Sequence, residues 1–368
     1  MRRPCAVREA LARRDGRCTG GRQALLCLLL VGAAIVALAP SRALARAPVK
    51  VGDASGPRLG VALAGDRVVW PRLAARYATP VEVLAASAGS PAETILVGDV
   101  TPGTAVEQLP VLDASRQRVA VSLLDFVRSE STVRVAAAST WAGSPQAPLA
   151  RVPAATPGEV AFDVQVDGHR TAWLVGNRTG RTGPVRLVTR DERSGVRRVR
   201  RMPRHTAGLI GFAGGYVATT EQRGSLDRTK WVVRSIRAWR VRTQVIVRED
   251  SVDVDGALRS DGALALVYGF TRMRAGVVPL GGKRVQLLPG RPAMHRIVFG
   301  RRGVVYGLRS KRGTRLIEVG RSSRPRRLTA PVRGLVDFDG DSGRVALRTR
   351  GCVYVARVPA LDAVPSCP

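Results

Sequence analysis

Lysine is nearly missing from this 368-residue chain: Lys50, Lys230, Lys283 and Lys311 are the only four among 60 basic residues. Arginine therefore carries almost all of a net charge of +32, a bias that high-GC coding produces as readily as selection for anion binding. Aromatic residues are only 4% of the chain, too few for the stacking platforms that single-stranded nucleic acid uses, so a nucleic-acid partner is disfavoured. Histidines number three, His169, His205 and His295, and cysteines five. Scattered in this way they build neither a metal centre nor a nucleophile–histidine relay, and no metal or cofactor is expected. Helical periodicity is absent after residue 45. The remaining composition, 45% hydrophobic and 24% charged, is that of a globular protein and excludes a disordered tail or a multi-span membrane protein.

The first 45 residues carry eight Arg, then an apolar run from Ala24 to Ala39, then Pro40 and the small-residue site Ala43-Leu44-Ala45. This is the order of a secretory signal peptide, expected to be cleaved after Ala45. The run is shorter than the ~20 residues of a spanning helix, which favours cleavage over a retained signal anchor. Cleavage would remove Cys5, Cys18 and Cys27 and leave Cys352 and Cys367. Two cysteines in an exported protein read as one disulfide rather than two free thiols.

A repeat organises residues 46–368. The unit is an apolar alternating strand, a tight turn, a second apolar strand, a polar gap and a third strand. The first residues after the turn are Val68, Val119, Thr171, Val217, Leu264, Val304 and Val345, spaced by about 46 residues on average. Period-2 alternation bounded by Gly, Asp, Ser and Pro marks half-buried strands. A fixed period of this size selects an all-β, seven-bladed β-propeller over a sandwich. Only three strands fit after Val345, so Leu59–Leu63 is expected to complete the last blade and close the ring.

The stretch Val166-Asp167-Gly168-His169-Arg170-Thr171-Ala172-Trp173-Leu174-Val175, continued by Asn177–Gly180 and Pro184–Val188, resembles the repeat of TolB-like (WD-like) β-propellers. Arg315–Val319 running into Pro325–Thr329 does so as well. The Asp-Gly turn is intact only at Asp167-Gly168 and Asp261-Gly262. Propellers of this kind usually bind across one face and the mouth of the central channel, where the turns that precede the anchor residues converge. By that resemblance, Arg67, Arg118, Arg170, Arg302 and Arg344 ring the mouth and form the candidate binding site.

Several motifs imitate chemistry and fail on spacing. Gly340-Asp341-Ser342-Gly343 copies a serine-protease tetrapeptide but occupies an inter-strand turn and has no histidine in a catalytic context. Asp337, Asp339 and Asp341 begin like a calcium loop, yet the positions that need Gly and a bidentate acid hold Ser342 and Arg348. Gly276–Lys283 misplaces the lysine of a phosphate loop. Asp167, His169 and Asp261 are the only turn residues from which a catalytic cluster could start. The basic runs Val196–Arg204 and Arg321–Arg327 fall on outer strands or loops. Residues 46–160 carry 11 basic and 10 acidic residues, residues 161–368 carry 41 and 16, so the positive charge is one-sided. The expectation is a non-catalytic, exported scaffold that binds an envelope protein. Alternatives are a propeller hydrolase or lyase with a channel-mouth site, and a binder of anionic envelope polymer or lipid.

Overall fold

The computed structural model describes residues 47–54, 60–75, 78–98, 111–115, 118–125, 130–137, 150–152, 159–177, 184–222, 228–248, 255–269, 272–320, 324–340, 343–360, 362–365 and 367. The expected signal segment, residues 1–45, lies outside them. Among the described residues every regular element is a strand. The chain opens with β1 (Val49–Asp53) and then runs in groups of four. Blade 1 is β2 (Ala62–Ala64), β3 (Arg67–Ala75), β4 (Ala78–Ser87) and β5 (Glu93–Gly98). Blade 2 is β6 (Val111–Ala114), β7 (Arg118–Asp125), β8 (Glu130–Ala137) and β9 (Ala150–Val152). Blade 3 is β10 (Glu159–Asp167), β11 (Arg170–Asn177), β12 (Arg186–Asp191) and β13 (Arg197–Arg201). Blade 4 is β14 (Thr206–Ala213), β15 (Tyr216–Gln222), β16 (Arg228–Ser235) and β17 (Val241–Arg248). Blade 5 is β18 (Asp255–Leu258), β19 (Leu264–Tyr268), β20 (Arg274–Val278) and β21 (Gln286–Leu287). Blade 6 is β22 (Pro292–Phe299), β23 (Gly303–Ser310), β24 (Gly313–Gly320) and β25 (Pro325–Arg327). The chain ends with β26 (Leu335–Gly340), β27 (Arg344–Thr349) and β28 (Cys352–Arg357).

Each blade is an antiparallel meander. Tight turns join its first two strands, and the turn glycines Gly65 and Gly168 have φ of 63° and 60°, a left-handed conformation that a Cβ disfavours. The first strands of successive blades are neighbours around the axis, from β2 through β6, β10, β14, β18, β22 and β26 back to β2.

The expected ring of seven like units closed by Leu59–Leu63 is corrected by the strand order. Six blades are sequence-continuous, each made of four consecutive strands, and the remaining sheet is a composite with order β1-β28-β27-β26. Its closing strand is Val49–Asp53. Ala62–Ala64 is unavailable for that role because the Gly65-Asp66 turn folds it onto β3 as the innermost strand of blade 1.

The second and third strands are buried on both faces because a blade lies on either side. In β19, Leu264, Leu266 and Tyr268 pack with Trp231 and Val233 of blade 4. The alternate residues Ala265 and Val267 pack with Tyr306 and Ile317 of blade 6. The core is thus a cycle of inter-blade layers, and the period-2 pattern decides which neighbour each side chain meets. Trp70, Trp173 and Trp231 are the largest fully buried side chains.

At the seam, β1 pairs with β28, placing Val49 opposite Val355 and Asp53 opposite Cys352. Trp70 Nε1 donates to the Asp53 carbonyl at 3.1 Å, tying blade 1 to β1. A Cys352–Cys367 disulfide anchors the C-terminal tail, and Tyr354 Oη donates to the Pro365 carbonyl at 2.9 Å beside it. The tail also reaches blade 6, where Ala360 N donates to the Leu328 carbonyl at 2.7 Å.

Candidate functional site

The innermost strands carry aspartates that bridge blades. Asp113 Oδ2 on β6 accepts from Val166 N on β10 at 2.6 Å, and Asp163 Oδ2 on β10 accepts from Leu209 N on β14 at 3.1 Å. Asp255 Oδ2 on β18 accepts from Ile297 N on β22 at 3.2 Å. Asp337 and Asp339 on β26 accept from Val61 N and Leu63 N, each at 2.8 Å, and so close the ring. A first strand has no partner on its axial edge, so its outward N–H groups need side-chain acceptors. Asp163 reaches its donor from a β-bulge with φ of 51°, a conformation that Asp tolerates better than most residues.

Arg296 on β22 stands among these carboxylates. Its Nε lies 3.3 Å from Asp337 Oδ1 and donates to the Phe338 carbonyl at 3.0 Å, and its Nη1 lies 3.7 Å from Asp255 Oδ2. The group is deep in the ring yet still touches solvent along the axis, with side-chain exposures of 29% for Arg296 and 16% for Asp337. Burial raises the carboxyls of Asp255, Asp337 and Asp339 above their ordinary range, and Arg296 only partly offsets it. Asp113 is pushed up to about 7, again chiefly by burial. Burial alone would lower the Arg296 guanidinium, but the four carboxylates hold it above its usual value. Arg348, in the position a calcium loop reserves for an acid, is instead buried at the seam, donating to the Pro71 carbonyl at 2.8 Å, and burial pushes it down to about 10. Asp337, Asp339 and Asp255 are therefore blade-to-blade acceptors. Asp341 and Ser342 lie outside the described residues.

The five predicted arginines sit at the same end of their blades, at the hairpin between first and second strands. Arg67, Arg118, Arg170 and Arg344 begin β3, β7, β11 and β27, and Arg302 precedes β23. Arg67 Nη1 lies 3.1 Å from Glu93 Oε2. Arg170 pairs with Asp167 and its guanidinium lies 5.4 Å from the Phe212 ring of blade 4. Arg259 repeats this two blades further round, pairing with Asp261 and lying 5.2 Å from Phe299 of blade 6. Arg344 donates to the Gly65 carbonyl of blade 1, and Arg302 N donates to Glu318 Oε1 at 2.8 Å. Beside Arg118, burial lowers the His169 imidazole, and the charges of Arg193 and Arg118 lower it further.

Asp167 and Asp261 stand in the hairpins of blades 3 and 5. Asp167 also accepts from Gly214 N at 3.0 Å, and Asp261 accepts from Ala263 N at 3.0 Å in a blade two steps away. Asp167 is thus engaged by its own turn and by the hairpin of the next blade, and Asp261 by its own turn.

The basic run at Val196–Arg204 contains β13, the outermost strand of blade 3, whose five residues Arg197-Arg198-Val199-Arg200-Arg201 are all exposed. In the second run, Pro325–Arg327 forms β25, where Arg326 Nη1 lies 3.6 Å from Glu318 Oε2.

No protein-family model and no curated protein matches this sequence. Solved structures do. The β-propeller domain of the Trilobed protease from Pyrococcus furiosus aligns with a TM-score of 0.53 at 10% identity, over 85% of this chain and 94% of that one. Hydrazine synthase from Kuenenia stuttgartiensis aligns with a TM-score of 0.53 at 10% identity, over 85% and 98%.

The chain is a β-propeller.

Acylaminoacyl peptidase from Pyrococcus horikoshii aligns with a TM-score of 0.51 at 9% identity, over 86% of this chain and 53% of that one, so this propeller spans about half the length of that peptidase. At such identities the likeness is one of fold. The Pyrococcus furiosus domain has an open velcro topology, whereas here β1 shares a sheet with β26, β27 and β28.

The sequence reading missed Asp113, Asp163 and Arg296, and the bridging role of Asp337 and Asp339. A signal was present: Asp113, Asp163, Asp337 and Asp339 stand six or eight residues ahead of the repeat anchors Val119, Thr171 and Val345. Arg296 had none, since its role depends on acids from three other strands.

Proposed function

We infer that this propeller is a non-catalytic, TolB-like scaffold, exported from the cell, that binds a protein partner in the envelope or outside the cell. The partner is engaged across the hairpin face that carries Arg67, Arg118, Arg170, Arg302 and Arg344. The supporting observation is how guanidinium groups on this face are held. Arg67 and Arg170 are pinned by a carboxylate, and Arg170 also by an aromatic ring of the next blade, yet their side chains keep 25% and 38% exposure. Cations held in place in this way bind acidic groups with little further loss of side-chain entropy. The inner carboxylates, by contrast, are committed to blade-to-blade bonds. The disulfide agrees with an oxidising compartment.

The test is crosslinking and pull-down of the exported protein from its own envelope fraction, beside the double variant Arg67→Glu/Arg170→Glu. Loss of one specific protein from the variant's captured set supports the reading; identical sets from both proteins overturn it. Retention on anionic lipid or wall polymer that collapses with salt would favour the polyanion alternative. The peptidases among the solved relatives supply a second reading, a hydrolase. Its test is release of product from peptide or ester substrates by the purified chain.

A further inference from the structure

We propose that β13 accepts an extended acidic segment of a partner polypeptide by strand addition. This surface is separate from the hairpin face and does not depend on it. The strand ends the order β10-β11-β12-β13, so no described strand covers its far edge. The register and two flanking bonds show which groups face outward. Met202 N donates to the Val185 carbonyl at 2.8 Å, and Asp191 N donates to the Val196 carbonyl at 3.0 Å. Hydrogen-bonded pairs alternate in an antiparallel ladder, so residues 198 and 200 bond to β12. Arg197, Val199 and Arg201 then direct their backbone N–H and C=O groups at the free edge.

Charge makes this edge selective. Four of the five residues are Arg, and Arg186 and Arg190 on β12 stand directly opposite Arg201 and Arg197. Like charges opposed across a ladder repel, and the same charge keeps two copies of this edge from pairing with each other. An acidic strand relieves that repulsion and completes the ladder. The complementary segment has acidic residues facing Arg197, Arg198, Arg200 and Arg201 and an apolar residue facing Val199, whose exposure is 49%. Five residues at about 3.4 Å each make this a footprint of roughly 17 Å. Val196, also 49% exposed, extends the apolar contact at one end.

The experiment measures binding of a fluorescent ten-residue peptide with the core Glu-Glu-Val-Glu-Glu to the exported protein at low salt. Two further probes carry N-methyl groups on alternate amides, one in each phase, and polyphosphate serves as a non-peptide anion. Strand addition predicts that one methylated phase binds like the parent while the other is weakened at least tenfold, because one edge of the probe faces β13. It also predicts at least tenfold loss with Arg197→Glu/Arg201→Glu, whose melting should not fall, since both side chains are exposed and each Glu would face an arginine of β12. Arg67→Glu/Arg170→Glu should leave the probe bound, which separates this result from the fate of the hairpin face. Equal binding of both methylated phases, competition by polyphosphate included, identifies a plain polyanion patch and overturns strand addition. Failure of the parent probe to bind overturns it as well.

Discussion

Replacing Asp113 with Asn is expected to flatten the pH dependence of this protein's stability without loosening its ring. Burial pushes the Asp113 carboxyl from its ordinary 3.8 up to about 7, Asp339 adds to the rise, and the Val166 bond and Arg296 oppose it. The folded state therefore binds the proton more tightly than the unfolded chain. Between about pH 4 and 7 it holds more protons, so stability is fullest below the unfolded value and is lost as pH rises through the folded one. Each pH unit in that window is worth at most about 1.4 kcal/mol, a ceiling of roughly 4 kcal/mol. Solvent along the axis screens the carboxyl, and a loss of about 1–2 kcal/mol between pH 5 and pH 8 is the expected size. Asn keeps a carbonyl oxygen for Val166 N, which Asp113 engages at 2.6 Å, but cannot ionise. The assay is denaturant unfolding of both proteins at pH 5 and pH 8. Asp255, Asp337 and Asp339 are shifted in the same direction, so the difference between the two slopes reports Asp113 together with its coupling to Asp339 and Arg296. Equal slopes would show that Asp113 does not titrate in this range, and the reasoning would fail.

Three further outcomes follow from the seam and the core. Cys352→Ser opens a disulfide with a sequence separation of 15 and should cost about 3 kcal/mol, with reduced wild type unfolding at the same denaturant concentration as the variant. Gly52→Ala would drive a Cβ into the Trp70 ring at Cζ2, and the resulting overpacking should cost about 1–3 kcal/mol, read as a lower unfolding midpoint with altered tryptophan emission. In blade 4, burial works to raise Glu221, but Arg234 and Lys230 together hold it below its ordinary range. Arg234→Ala should therefore cost about 3 kcal/mol by leaving the 2%-exposed Glu221 with Lys230 alone, and Arg234→Met/Glu221→Gln should recover most of it in the same unfolding assay.

The alternation of apolar residues and the tight glycine turns were enough to define strands, because period 2 and left-handed glycines are local properties. Spacing of the anchors was enough to make those strands into blades, and the count of two cysteines beyond residue 45 was enough to pair Cys352 with Cys367. The one-sided charge was legible too, since it needs only counting. Closure was not. Leu59–Leu63 read as a short apolar strand while Val49-Lys50-Val51-Gly52-Asp53, with a Lys, a Gly and an Asp, did not, and only the tertiary structure pairs Ala62–Ala64 with β3 and Val49–Asp53 with β28. Nor could sequence show that Asp337 and Asp339 are acceptors for residues 276 positions away, or that Arg296 joins them. Those groups acquire their roles when the ring closes and brings first strands from opposite ends of the chain side by side. The same closure decides that the arginines of β13 face solvent at an open edge while Arg348 is buried at the seam: one residue type, separated by position in the ring.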